Sequence, residues 1–282
     1  NVGVIVQVDE SVKSLKVGDR VVSNGSHAEY VVVKENLVSK IPDIVTDEQA
    51  SFTILGSIAL NGVRLLNPTI GEKHVVIGLG LIGQLTCQLL KANGCDVIGI
   101  DLDKEKLKIA SDFGVNTLNP IQSNDIIQNI IDTTNNIGAD GVIITASSKS
   151  NQIISDSAKM LRKKGKIILV GVVGMNLNRD DFYKKEISFQ VACSYGPGRY
   201  DSKYEIHGQD YPIGYVRWTE KRNFETILDL FKKRIIKINP LISKVVNFED
   251  YKLIYDNLSD QKSIANLMKY SGSKYSKTKH TI

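Results

Sequence analysis

Apolar residues at Val2, Val4, Val6 and Val8 fall on one face of a period of two, which predicts a β-strand from Val2 to Val8. Shorter alternating runs follow at Asp19 to Val22, Ala28 to Val33 and Leu37 to Ile41, with a Lys16-Val17-Gly18 turn before the first and Pro42 after the last. Four short strands so spaced suit an irregular barrel or sandwich. From Asp47 the period lengthens to that of a helix. Ile58, Ala59, Val63 and Leu66 share one face before Asn67-Pro68 stops the run.

Between Glu72 and Ser188 strand and helix patterns alternate. Strands are expected at Val75 to Ile77, Val97 to Ile100, near Thr117, Val142 to Thr145, Lys166 to Val170 and Ile187 to Cys193. Helices are expected at Leu81 to Ala92, Lys104 to Phe113, Asp125 to Asp132 and Asn151 to Leu161. Apolar strands alternating with amphipathic helices specify an α/β fold with a doubly wound parallel sheet. After Tyr195 the texture turns to glycine, tyrosine and charge. A helix (Asn223 to Lys233), a strand (Lys237 to Ile242), a helix (Phe248 to Leu258) and a strand (Ile264 to Tyr270) then close the pattern, with an unfolded basic tail at 271–282. The implied domains are 1–56, 57–195 and a return to the first at 196–270.

The 282 residues suit about two packed domains. With 42% hydrophobic and 24% charged residues, a disordered or fibrous chain is excluded. The longest apolar runs are broken by glycine well short of the roughly 20 residues that a membrane-spanning helix needs. Net charge is +5, and Lys274, Lys277 and Lys279 of the tail carry three of those charges, which leaves too little to argue for nucleic acid. Cys87, Cys95 and Cys193 form no disulfide framework and no metal-ligand spacing, so free thiols in a reducing, cytoplasmic compartment are expected. Asn1 runs straight into a strand pattern, as in a chain that begins in mid-fold.

Candidate chemistry concentrates in VVIGLGLIGQ. There Gly78, Gly80 and Gly83, with Leu79, Leu81 and Ile82 between them, form G-x-G-x-x-G between a strand and a helix. Gly78 permits a tight turn, Gly80 lets backbone approach a pyrophosphate, and Gly83 lets helix and strand pack closely. Asp101 ends the next strand, where a carboxylate accepts adenosine ribose hydroxyls and repels a 2′-phosphate. NAD is therefore the expected cofactor. Lys106 is within reach of the same ribose, and the backbone of Val170, Gly171 and Val172 lies where a nicotinamide carboxamide would be held.

Together with Gly3-Val4-Ile5, Lys16-Val17-Gly18-Asp19-Arg20-Val21 and Ala28-Glu29-Tyr30-Val31, these motifs resemble the medium-chain dehydrogenase/reductase family of zinc alcohol dehydrogenase type. GSHAEYVVV, SIALNGVRL and the segment from Ser194 to Asn223 further resemble the dehydrogenase half of bacterial bi-domain oxidoreductases of surface-polysaccharide synthesis. The resemblance implies a GroES-like barrel, here lacking its first strands, beside a Rossmann domain. It also implies hydride transfer to or from a sugar-like alcohol or carbonyl. Two of the family's catalytic zinc ligands would lie before Gly3, the third aligns with Leu55, and SNGSH stands where a structural zinc loop would be, so no metal is expected. A basic residue that often contacts the cofactor in the family is replaced by Ala265 or Asn266.

Without zinc another group must handle the hydroxyl proton, and Tyr195, His27 and Asp201 are the candidates within this chain, with residues of a missing amino-terminal segment as the alternative. The segment Tyr195 to Trp218, with six aromatic residues among charges, suits a sugar or nucleotide sugar, or a subunit contact. A homodimer or a fused or partner dehydrogenase domain is a possible companion. Two alternatives stand beside this reading: a non-catalytic NAD-binding module, and a zinc alcohol dehydrogenase truncated at its metal site.

Overall fold

The computed structural model describes residues 1–256 and 263–271. The chain divides into two compact units, Asn1–Ile238 and Asn239–Ile282. In the first unit β1 (Val2–Val4), β2 (Arg20–Ser23) and β3 (Val38–Lys40) pair antiparallel in that order. The strand expected to run on to Val8 stops at Val4, and the one expected at Ala28 to Val33 does not form. The segment is irregular throughout, and Val32 is fully exposed. β-Branched residues favour a pleated surface only where a neighbouring strand supplies the ladder.

α1 (Asp47–Ser51) starts from a capping box in which the Gln49 amide donates to Thr46 Oγ1 and the Thr46 amide donates to Gln49 Oε1. α2 (Thr53–Leu66) ends at Asn67, whose left-handed φ of 55° precedes Pro68. Both stop signals are as the sequence places them.

The dinucleotide-type region then alternates strand and helix as expected, except that the strand expected from Lys166 already begins at Leu161 and a short helix at Arg179–Tyr183 stands where none was expected. It runs β4 (Lys73–Ile77), α3 (Leu81–Ala92), β5 (Asp96–Ile100), α4 (Lys104–Asp112), β6 (Asn116–Leu118), α5 (Ile126–Thr133), β7 (Ala139–Ile144), α6 (Gln152–Met160), β8 (Leu161–Leu169), α7 (Arg179–Tyr183) and β9 (Ser188–Val191). The six strands are all parallel in the order β6-β5-β4-β7-β8-β9. Val75, Ile98, Val142, Ile144, Ile167 and Leu169 bury one continuous core. The order reverses between β4 and β7, and the crevice beyond their carboxyl ends is where such sheets bind ligands.

α8 (Ser202–Glu205) and α9 (Glu220–Lys232) follow, and α9 buries Phe224, Ile227, Leu228 and Phe231. Ile227 packs so closely on α2 that a Cβ on Gly56 would come within 3.0 Å of it.

The second unit contains β10 (Ile242–Asn247), α10 (Lys252–Tyr255) and β11 (Ala265–Lys269), with the two strands parallel. The strand expected at Lys237 to Ile242 begins later, because Asn239–Leu241 form a 3-10 turn around Pro240. The helix expected from Phe248 is a 3-10 turn followed by α10; residues 257–258, where it was expected to end, and the tail from 272 lie outside the described residues. Among the described residues no helix is long and apolar enough to cross a membrane.

Candidate active site

The turn between β4 and α3 sits at the switch point. Gly78 has φ +91°, and a Cβ there would lie 2.7 Å from the Ala146 backbone. Gly83 is tighter still, since its Cβ would overlap the carbonyl oxygen of Gly78. Thr145 donates from Oγ1 to that same carbonyl at 2.5 Å, tying the end of β7 to the turn. Gly80 differs from both: a Cβ on it would meet nothing within 4 Å. α3 begins there without a side-chain cap, so the first-turn amides of Leu81, Ile82 and Gly83 face an open space. That combination fits a pyrophosphate.

Leu79 serves the protein instead of the ligand. Its side chain is buried, and its amide donates to Asp101 Oδ2 at 2.6 Å. Asp101 Oδ1 accepts from the Asp103 amide at 2.8 Å. The carboxylate at the end of β5 is thus held beside the glycine turn, and each oxygen keeps a lone pair for a ribose hydroxyl. Lys106 lies one turn along, its Nζ 3.9 Å from Asp103.

The loop after β8 presents carbonyls in place of amides. The amides of Val170 and Gly171 both donate to the Ile144 carbonyl and that of Val172 to Ala146, so none is left for a carboxamide oxygen. The carbonyls of Val170 and Gly171 carry no such bond among the described residues and are available to a carboxamide NH2. A Cβ on Gly171 would come within 2.2 Å of the Ala146 carbonyl oxygen, so this loop hugs the end of β7.

Of the proton-transfer candidates, Tyr195 has the setting for it. It follows β9 at the carboxyl edge of the sheet, is buried, and accepts a hydrogen bond at Oη from Asn24 Nδ2 at 2.9 Å. Its hydroxyl proton stays free to donate, and burial holds its pKa above the usual tyrosine value. Asp201 is occupied: it caps α8 through the Lys203 amide and accepts from the Tyr211 hydroxyl at 2.5 Å. The Tyr211 and Lys203 bonds keep its carboxyl below the usual range, which suits a structural cap better than a base. His27 is exposed on an irregular segment that leads into no strand.

Sequence reasoning missed the residues that hold Tyr195. Asn61 of α2 donates to the carbonyls of Cys193 and Ser194, and Asn223 of α9 donates to that of Tyr195 at 2.8 Å. It also missed Glu220, which is 0% exposed with neither carboxylate oxygen hydrogen-bonded. Burial, and then the nearby charge of Glu205, pushes its carboxyl up to about 8, with Arg199 opposing. Buried asparagines and glutamates carry no periodic signal, so only the fold reveals them.

The described residues do not fit a zinc ion. Cys87 and Cys95 are buried at and just beyond α3, Cys193 is exposed, and Leu55 offers no donor. Among the described residues no group of three His, Cys, Asp or Glu is placed to hold a metal.

Family comparison agrees with the geometry. The pattern for zinc-binding dehydrogenases matches residues 82–206, and that for the alcohol dehydrogenase GroES-like domain matches 1–43. The D-guloside 3-dehydrogenase of Escherichia coli K12 is 32% identical over 271 residues, covering 92% of this chain and 72% of its own. The fold of 2R,3R-butanediol dehydrogenase from Bacillus subtilis superposes with a TM-score of 0.77 at 23% identity, over 95% of this chain and 78% of that one. A short chain alcohol dehydrogenase from Escherichia coli CFT073, solved with NADH, gives 0.73 at 21% identity, over 95% and 81%. A parallel Rossmann sheet with a GroES-like region, an anion-ready glycine turn and these matches have one reading: the chain belongs to the zinc-binding dehydrogenase family and is an alcohol dehydrogenase-like, NAD(P)-dependent oxidoreductase.

Proposed function

We propose that this enzyme transfers a hydride between NAD and a secondary alcohol or carbonyl of a sugar-like substrate, without zinc, in surface-polysaccharide synthesis. The observation that carries the cofactor choice is Asp101, held by the Leu79 amide beside the open first turn of α3. The name of the 32% identical relative supports a sugar-derived substrate. Residues 1–56 and 196–270 form the substrate-side domain in this reading, and 57–195 the cofactor domain.

When bound, NAD supplies the nicotinamide carbon that accepts or returns the hydride. The amides of Leu81, Ile82 and Gly83 bind its pyrophosphate, and Asp101, with Lys106 nearby, holds the adenosine ribose. The Val170 and Gly171 carbonyls orient the carboxamide. In carbonyl reduction Tyr195 donates its hydroxyl proton to the substrate oxygen and is left as a tyrosinate, which the Asn24 amide steadies by donating to Oη; in alcohol oxidation that tyrosinate takes the hydroxyl proton back. Three free thiols support work in the reducing cytoplasm, and the aromatic segment supports contact with a second copy or a partner dehydrogenase domain.

The test is reduction of NAD and of NADP with methyl glycosides and polyols, by the unaltered chain and by Asp101→Ser. NAD preference that narrows in Asp101→Ser, chiefly through weaker NAD, is expected. Equal use of both cofactors by the unaltered enzyme, or no turnover of any sugar alcohol, overturns the corresponding half of the reading.

A further inference from the structure

Tyr200 combines three properties that folding alone does not explain. Its φ of +66° lies in the left-handed region, which disfavours a bulky side chain. Its ring is 76% exposed, so burial returns little of that cost. Yet the ring is held in place: the Arg199 guanidinium lies over it, 4.0 Å from the centroid.

Arg199 is in turn fixed by Glu205, with Nη1 2.6 Å from Oε1. On one side of Tyr200, Gly198 at φ +109° lets the chain pass against the Tyr204 ring, where a Cβ would come within 2.6 Å. On the other side Asp201 is locked as the α8 cap and by the Tyr211 hydroxyl. The surroundings therefore enforce the strained residue from both directions. One ring face is backed by a cation and most of the ring remains in solvent.

The same guanidinium lies 5.5 Å from the centroid of the Tyr195 ring. Two tyrosines thus share one arginine: a buried one offering a hydroxyl proton, and an exposed one offering a flat surface. A rigid aromatic ring gives a large contact at small entropy cost, and its π-face suits the weakly polarised C–H bonds of a sugar ring.

We propose that Tyr200 is the stacking platform for the apolar face of a pyranose substrate and a determinant of sugar against acyclic alcohol. This rests on the sugar-substrate reading above. Arg199 is a positioning residue that orients the platform relative to Tyr195.

The test uses saturation-transfer NMR, which needs no turnover, on the full chain with NADH and the methyl pyranosides of glucose, galactose and gulose. 2,3-Butanediol is the acyclic control. Tyr200→Ala is expected to weaken pyranoside binding about tenfold, and Tyr200→Phe to stay within twofold of the unaltered protein. NADH and butanediol affinities are expected to be unchanged in both. Tyr200→Gly, which relieves the φ strain, is expected to melt no lower than the unaltered chain while losing pyranoside affinity as Ala does. If the unaltered protein binds no pyranoside, the substrate reading falls and the platform with it. If it binds pyranosides and Tyr200→Ala binds them equally, or loses the diol in equal measure, the platform alone is overturned.

Discussion

At the residue scale, Gly80 and Gly83 stand three positions apart and answer to different demands. Gly80 has an ordinary φ of −66° and open space where a Cβ would go, so the fold does not require glycine there. Gly80→Val is expected to keep its melting temperature within a few degrees and to lose NAD binding, because the side chain fills the pyrophosphate's path. Gly83→Ala meets backbone instead, and is expected to cost about 1 to 3 kcal/mol or more in urea unfolding. The reverse pattern would show the glycine turn serving packing alone. Glu220 allows a prediction with pH. Its folded value of about 8 stands above the ordinary 4.5, so the folded state keeps a proton that the unfolded chain releases across that window. Its contribution is fully present below pH 4.5 and is lost as pH rises to about 8. Glu220→Gln cannot ionise, so urea unfolding is expected to give equal stability near pH 5 and a variant more stable by a few kcal/mol at pH 9. Parallel stability curves from pH 5 to 9 would remove that reading of the buried carboxyl.

At the element scale, the parallel sheet was legible because its central strands β5, β4 and β7 are buried on both faces and read as short apolar runs between helices. Its glycine turn was legible too, since G-x-G-x-x-G has a mechanism attached to each glycine. The amino-terminal strands were less so. The segment expected as a strand at Ala28 to Val33 has strand composition but forms no strand, and pairing is not written in a local pattern. The site loop after β9 was illegible for a related reason. Ser194 at φ 44° and Gly196 at φ 112° turn the chain sharply, and side chains from α2 and α9, distant in sequence, hold it there. Asn61 donates to two of its carbonyls, those of Cys193 and Ser194, the first of which also accepts from the Gly196 amide. Asn61→Ala leaves them without that donor and is expected to cost about 1 to 3 kcal/mol in stability. Because the loop carries Tyr195, the proposed proton donor, hydride transfer is expected to fall while NAD affinity, assigned above to the α3 turn, stays level. Loss of NAD affinity measured by calorimetry would instead mean that the loop supports the cofactor.

At the scale of the whole molecule, metal chemistry is decided by whether donors from distant segments converge. A zinc site needs three or four Cys, His or carboxylate ligands within roughly 2.0 to 2.3 Å of one point, each brought there by a different part of the fold. Here two of the three thiols are consumed by the dinucleotide region. Cys87 is buried in α3 with its pKa pushed up to about 12 by burial, the opposite of a metal-binding thiolate. Cys95, also buried, lies against the Thr69 carbonyl. Cys193 is exposed at the end of β9, and its neighbours Asn61 and Tyr195 are poor zinc ligands. In the reading proposed above Leu55 of α2 stands where the family carries a cysteine, and its apolar side chain offers no donor. Elemental analysis of this chain, purified without a histidine tag, is therefore expected to find well under one zinc per molecule. Treatment with EDTA should leave both NAD affinity and melting temperature unchanged, since neither depends on a metal in this arrangement. One equivalent of zinc that survives chelation, or a melting temperature that drops on its removal, would show that other residues assemble a site and that hydroxyl activation belongs to the metal in place of Tyr195.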